Sequence, residues 1–424
     1  MRCANQIDRR TAISDERAFW LTWLGWMLDG FDASIYTYVV VRALAELLPT
    51  SGVEATHANI GYYAGILFSV FMIGWACSTV WGWIADRYGR VRTLCATVLV
   101  YSTFTAASGL ASNLIMFGIF RFFTGFGVGG EWAAGTPLLH ESVSEKKRVR
   151  LAGWLHTAVP IGFSLAAVLV VIGGHALGWR GLFFVGIFPA LLAFYLRRNF
   201  PEPERKKACV SAKKFTALFV NGSARTTWAS TLMLACAIFG LWSSNFWAPT
   251  VVVLKLAGEN ALPDRALQVA ALAGIVTNAG TLLACLLVPW LTMRLGSRRK
   301  TAVFFFVGSI VAVLISYMIA LQHFDSLSLF FLFLPAVGFF TNGVFSLFTI
   351  WLPELFPSAL RAAGSGFAFS LGRVLGAIGP SLIGALSAKT ESLPIAIALL
   401  STIYLIGIPF IALVPETSKR PLPS

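Results

Sequence analysis

The sequence predicts an all-α polytopic membrane protein, with twelve transmembrane helices in two pseudo-symmetric six-helix halves. Three observations point there: a composition too apolar for a soluble chain, apolar segments that recur near one length, and polar signatures that return in the second half at near-constant spacing. The 424 residues are 57% hydrophobic and only 12% charged, and mean hydropathy is +0.75. A soluble domain of this size has no interior large enough for so much apolar side chain. A helix crosses ~30 Å of hydrocarbon with roughly 20 residues. The apolar runs here have about that length, separated by short polar turns.

In chain order the spans cover 18–45, 59–84, 93–111, 113–139, 150–173, 180–197, 227–254, 267–290, 300–321, 327–352, 362–387 and 393–413. An N-terminal segment, 1–17, precedes a bundle over 18–197. A polar linker, 198–226, leads to a second bundle over 227–413 and a tail over 414–424; Pro201 and Pro203 break helix in that linker. An even number of spans puts both termini on one face. Of the 33 Lys and Arg, 26 fall in segments on that face, which predicts cytoplasmic termini. The net charge of +14 is spread over segment ends rather than gathered on one domain. The expected partner is therefore the lipid bilayer and not nucleic acid. The six cysteines have no ligand spacing, so neither a zinc site nor a disulfide framework is indicated. Residues 1–17 carry both signs of charge and no cleavable signal pattern, and the first apolar run is too long for a signal h-region.

The halves echo each other. Glu141 and Arg148 follow span four with the same separation as Glu354 and Arg361 after span ten, and the two pairs are 213 residues apart. Pro201-Glu202 and Pro415-Glu416 are 214 apart. The charged stretch from Gly82 to Arg92 has a degenerate copy from Trp290 to Arg299, with Gly89 and Gly296 separated by 207. Repeated offsets of one size imply duplicated halves about an axis along the membrane normal, an arrangement suited to alternating access.

On these residues the chain resembles the major facilitator superfamily. Gly82-Trp83-Ile84-Ala85-Asp86-Arg87-Tyr88-Gly89-Arg90 is similar to that family's loop between helices two and three, and it lies between the second and third spans. Leu24-Gly25-Trp26-Met27-Leu28-Asp29-Gly30-Phe31-Asp32 and the run from Arg121 to Trp132 resemble the organic-acid:proton symporters for sialate, lactate and aromatic acids. Pro415-Glu416-Thr417 resembles the tail of sugar and metabolite porters. The second-half loop departs from the pattern, with Met293 at the place of Asp86. The resemblance implies a multi-pass protein of a bacterial inner membrane.

Ionisable groups inside spans are costly unless paired or wetted, so each is a functional candidate. Asp29 lies about 15 Å into span one and Asp32 is one turn further on, on a similar face. Two carboxylates that close repel when both are ionised, so one readily takes up a proton; the structural alternative is an aspartate bracing the turn at Gly30. With Glu131 they form the proton-coupling set. Arg373, between Gly372 and Gly376, is the first choice for a substrate carboxylate, because its planar fork matches two carboxylate oxygens; the alternative is an ion pair with Asp29 or Asp32. Arg121 lies toward the outer half of span four, placed to hold one of those aspartates or the substrate. Tyr36, Asn245, Trp247, Asn278 and Asn342 are further candidates for lining a cavity. His156 reads as a hydrogen-bonded core residue rather than a proton carrier. Gly125 and Gly129 read as close helix packing rather than a phosphate loop. Gly82, Asp86, Arg87, Gly89, Arg90, Glu141, Arg148, Glu354 and Arg361 form a gating set at the cytoplasmic face.

The function expected is uptake of a small organic anion, a carboxylate, by proton symport through alternating access. No enzyme activity, metal site or cofactor is expected beyond the coupling proton, and the chain is expected to act as a monomer. The rivals are a sugar or polyol:proton symporter, a drug:proton antiporter and a transport-dead membrane sensor. The shortage of Gln and Asn in the spans argues against the first, and the retained intramembrane charges against the last.

Overall fold

The computed structural model describes residues 15–78, 80–142, 151, 154–191, 195, 215–220, 223–258, 263–357 and 360–418, and no strand occurs among them. In the first half, α1 (Asp15–Thr50) is followed by α2 (His57–Cys77), α3 (Val80–Tyr88), α4 (Arg90–Ser108), α5 (Leu114–Ser142) and α6 (Ala158–Val185). In the second half come α7 (Ser223–Ser244), α8 (Trp247–Gly258), α9 (Pro263–Leu295), α10 (Arg298–Val313), a π-helical continuation (Leu314–His323), α11 (Leu327–Leu355), α12 (Arg361–Gly376), α13 (Ile378–Thr390), α14 (Leu393–Leu400) and α15 (Ile403–Leu413).

Nine segments among the described residues are long and apolar enough to cross a bilayer. The more polar α1 and α4, together with a reversal inside α6, bring the described helices into line with the twelve expected. That reversal is at Gly178, whose φ of 59° and ψ of −178° suit a residue without a Cβ. Before it, Gly162 packs on the backbone at Met27. Just after it, the Trp179 indole donates to Glu46 at 2.7 Å. By Gly186 the chain lies against Thr105 of α4. It therefore climbs alongside α1, turns, and descends.

The 207-residue echo returns as backbone geometry. Gly89 ends α3 with φ 109° and Gly296 ends α9 with φ 60°, and each sends the chain into a new helix. Thr93 Oγ1 donates to the Gly89 carbonyl at 2.7 Å, and Thr301 Oγ1 donates to the Ser297 carbonyl at 2.9 Å. Both turns use a glycine at positive φ, but Gly89 itself caps α4, whereas Ser297, one past Gly296, caps α10 through its hydroxyl, and Met293 stands at the place of Asp86.

The halves meet along α2 and α13. Gly65 and Gly384 let the two backbones approach until a Cβ on Gly65 would sit 2.3 Å from the Pro380 carbonyl oxygen. Small residues supply this contact because lipid offers no hydrophobic drive to helix association. Ser69 Oγ donates to the Ala377 carbonyl across the seam, and Phe68 stacks on Phe246 at 4.1 Å. At the face away from the chain ends, Arg42 of α1 pairs with Asp264 of α9 at 2.6 Å.

Candidate functional site

Two helix breaks shape the space between the halves. α7 gives way to α8 around Asn245, and α12 to α13 at Ala377. A third break precedes α6, where the chain turns at His156 and Thr157 and the Thr157 N–H bonds back three residues, to Trp154, rather than four. Interrupted helices expose backbone and free side chains at mid-depth, where transporters build sites. Here they border a cavity of about 190 Å³ lined from both halves. Its polar groups are one carboxylate, Asp29, one guanidinium, Arg373, one imidazole, His156, the amides Asn245, Asn278 and Asn342, and the hydroxyls Thr37, Tyr38, Thr277 and Thr281. The indoles of Trp26, Trp75 and Trp242 and the rings of Phe163, Phe246, Phe345 and Phe369 complete the wall.

Arg373 is 9% exposed. Its guanidinium carbon lies 4.6 Å from the Trp75 ring centre and 5.5 Å from that of Phe369. Aromatic faces stabilise a cation without neutralising its charge. Asp29 Oδ1 is buried without a hydrogen bond among the described residues. Asn278 Nδ2 donates to the Gly274 carbonyl at 2.8 Å, within its own helix. Asn245 Nδ2 donates to Thr341, while its Oδ1 takes no hydrogen bond among the described residues. The cavity therefore offers a cation for an acid group, an amide oxygen for a hydroxyl, and aromatic walls for a ring.

Behind the wall lies a dry layer. Asp32 is fully buried, and Arg121 and Glu131 are each 1% exposed. Glu131 Oε1 accepts from the Tyr101 hydroxyl at 3.4 Å, and its Oε2 rests where a Cβ on Gly25 would come within 2.5 Å. The Arg121 guanidinium donates to Ser108 at 2.9 and 3.2 Å and to Thr124 at 3.0 Å. It sits 5.0 Å from the Phe183 ring centre and 5.9 Å from that of Tyr36. No carboxylate lies within ion-pair distance of it among the described residues, so Arg121 is held by hydroxyls and rings rather than by Asp29 or Asp32.

The Major Facilitator Superfamily model matches residues 22–380. The chain belongs to that superfamily. It is 28% identical to the cis,cis-muconate transport protein of Acinetobacter baylyi over 90% of each chain. It is 26% identical to the sialic acid transporter of Escherichia coli over 86% of each. A solved bacterial homolog of the human lysosomal transporter Spinster, inward-facing and unoccupied, superimposes with a TM-score of 0.68. That match has 18% identity and covers 94% of this chain and 96% of that one.

Within this major facilitator fold, the sequence candidates separate into groups. Asp29, Arg373, Asn245, Asn278 and Asn342 line the cavity. Asp32, Glu131 and Arg121 form the layer behind it. Tyr36 and Trp247 do not line the cavity. Tyr36 is 2% exposed, donates to the Ala64 carbonyl at 3.0 Å and stacks between Phe68, Phe117 and Phe246. Trp247 is fully buried against Phe246. Tyr36 fills the seam between the halves. Gly125 packs on the Phe71 carbonyl of α2, as a close helix contact does.

Sequence reasoning missed Trp26, Trp75 and Trp242, since aromatic residues in an apolar span look alike whichever way they face. It also read His156 as core, whereas the ring lines the cavity. The one available signal was a titratable side chain within a span.

At the face holding the chain ends, Arg298 grips Glu354 with both nitrogens, Nε at 3.2 Å and Nη2 at 3.0 Å, and Thr417 Oγ1 donates to the same carboxylate at 2.5 Å. Arg361 Nε donates to the Pro353 carbonyl at 2.8 Å. Glu354 and the Arg361–Pro353 bond thus tie helix ends within the second half. Glu416 caps the start of α10, accepting from Ser297 Oγ and from the backbone of Arg298 at 3.0 Å and Arg299 at 3.2 Å. Burial pushes its carboxyl up, but these bonds and one from the Ser418 backbone outweigh burial and hold it at about 2. In the first half, Gly82 is half-buried in α3 and Arg87 is exposed. The side chains of Asp86, Arg90 and Glu141, and all of Arg148, lie outside the described residues.

Proposed function

We propose that the protein is a secondary active transporter that takes up a small organic anion, a carboxylate, by proton symport through alternating access. The observation that supports this best is the pairing of Arg373 from the second half with Asp29 from the first in the wall of one cavity between the halves. A cation held over aromatic rings binds the acid group. A carboxylate in the same wall takes the proton that travels with it, and Asp32 and Glu131 behind it extend the acidic path. The aromatic walls favour a ring-bearing acid, and the Asn245 oxygen favours one with a hydroxyl. The Lys and Arg distribution supports cytoplasmic termini in a bacterial inner membrane, and the relatives named for muconate and sialic acid transport agree with an acid substrate.

Uptake into proteoliposomes under an imposed inward proton gradient tests this, screened over aromatic, lactate-like and sugar acids with neutral sugars as controls. Accumulation of an acid that collapses with a protonophore is the expected result. Uptake of neutral sugars alone, indifferent to the gradient, sinks the reading.

A further inference from the structure

His156 sits in the break before α6 with its ring in the cavity wall. It is also where the halves touch near the cavity. Its Nε2 is hydrogen-bonded to Thr349 Oγ1 of α11, and its carbonyl accepts from Cys285 Sγ of α9 at 3.8 Å. The ring stands edge-on to Trp26, centroids 5.5 Å apart. Thr349 Oγ1 also lies 3.1 Å from the Phe345 carbonyl one turn back, which can take its single hydroxyl proton. With the proton there, the Thr349 oxygen accepts and His156 Nε2 carries the hydrogen, and this is the tautomer the inference uses.

An N–H at the cavity wall is thus committed to a neutral hydroxyl of the other half. A carboxylate is the stronger acceptor, since charge-assisted hydrogen bonds are roughly twice as strong as neutral ones. We propose that the substrate's carboxylate takes the His156 Nε2–H away from Thr349, so that binding itself undoes a bond between the two halves. His156 is then a second carboxylate-recognition residue beside Arg373, and the exchange of partners couples occupancy to the rocking of the halves. Asp29, the carboxylate of the first half in this wall, remains available for the proton. This inference rests on the proposed acid-transport reading.

The two members of one hydrogen bond should give effects of opposite sign. With purified protein in detergent, 4-hydroxybenzoate is the probe and 4-hydroxybenzamide its neutral control; if another aromatic acid binds the wild type more tightly, that acid and its amide replace them. His156→Ala is expected to raise Kd for the acid about tenfold and leave the amide nearly unchanged, and His156→Gln, which keeps an N–H donor, to recover most of the loss. Thr349→Val, which removes the competitor, is expected to lower Kd about threefold. The inference is overturned if His156→Ala binds the acid as the wild type does. It is equally overturned if Thr349→Val weakens binding, or if the acid and amide weaken together, as a packing role predicts. The Thr349→Val arm leaves the histidine intact, so its sign decides the matter even where His156→Ala does not fold. A wild type that binds no acid at all refutes the functional reading instead, and this inference with it.

Discussion

Arg373 and Asp29 reach one cavity from different halves, and their chemistry sets separate expectations. Arg373→Lys keeps the charge but loses the planar fork. It should raise Kd for the carried acid about tenfold or more while leaving the folded fraction unchanged; unaltered affinity removes Arg373 from acid recognition. Asp29→Asn should retain exchange of labelled for unlabelled acid across the bilayer but abolish accumulation driven by a proton gradient. If it accumulates normally, the proton travels elsewhere, with Glu131 next to be tested. These two residues, and Asn245, Asn278 and Asn342, were legible in the sequence because polar groups stand out in apolar spans. Tyr36 and Trp247 were not separable from Trp26 and Trp75. A helix apolar all round gives no sign of its rotation, so only packing reveals which aromatic ring faces the cavity and which fills the seam. Arg121 was visible as a buried cation, but its hydroxyl partners Ser108 and Thr124 are too common in spans to announce themselves.

At the scale of elements, the turn at Gly89 and Gly296 was readable because glycine, charge and spacing all recur. The helix breaks at Asn245, His156 and Ala377 are each followed closely by a proline, Pro249, Pro160 and Pro380, whose missing N–H loosens the turn before it. That signal was in the sequence and went unread. The reversal at Gly178 was placed between two spans from hydropathy, while its backbone requirement came from the structure. Gly178→Ala forces an L side chain into φ 59° and should cost about 1–3 kcal/mol, read as a lower Tm in detergent; an unchanged Tm would show that the turn relaxes freely. Glu416 gives a pH-dependent expectation. Its folded carboxyl lies at about 2, below the ordinary 4.5, so its stabilisation is present in full above the ordinary value and fades as pH falls toward the folded one. The Tm difference between wild type and Glu416→Gln should therefore be largest near neutrality, narrow below about pH 4.5 and close near pH 2. A gap that widens on acidification contradicts the assignment of Glu416 as an ionised cap on α10.

At the scale of the molecule, the bonds between the halves among the described residues lie at cavity depth and toward the face away from the chain ends. Arg42 and His175 of the first half both reach Asp264 there, at 2.6 and 3.3 Å. A part-exposed ion pair is weak and screened by salt, so it biases the balance between states rather than locking one. Arg42→Ala should shift that balance by a few fold toward opening at this face, read as a longer component between spin labels at Glu54→Cys and Glu391→Cys. High salt should bring the wild type toward the same distribution, and distances indifferent to both would place the closure in the packing of α2 on α13 and of α6 on α9. The lone carboxylate in the cavity wall also bears on energetics. If Asp29 alone loads one proton with each monovalent anion, no net charge crosses the membrane. The voltage across the bilayer then does no work, and the pH difference sets the ceiling, about tenfold accumulation for each pH unit. A membrane potential imposed without a pH gradient should leave such a carrier idle, and would drive one that loads a second proton from the layer behind.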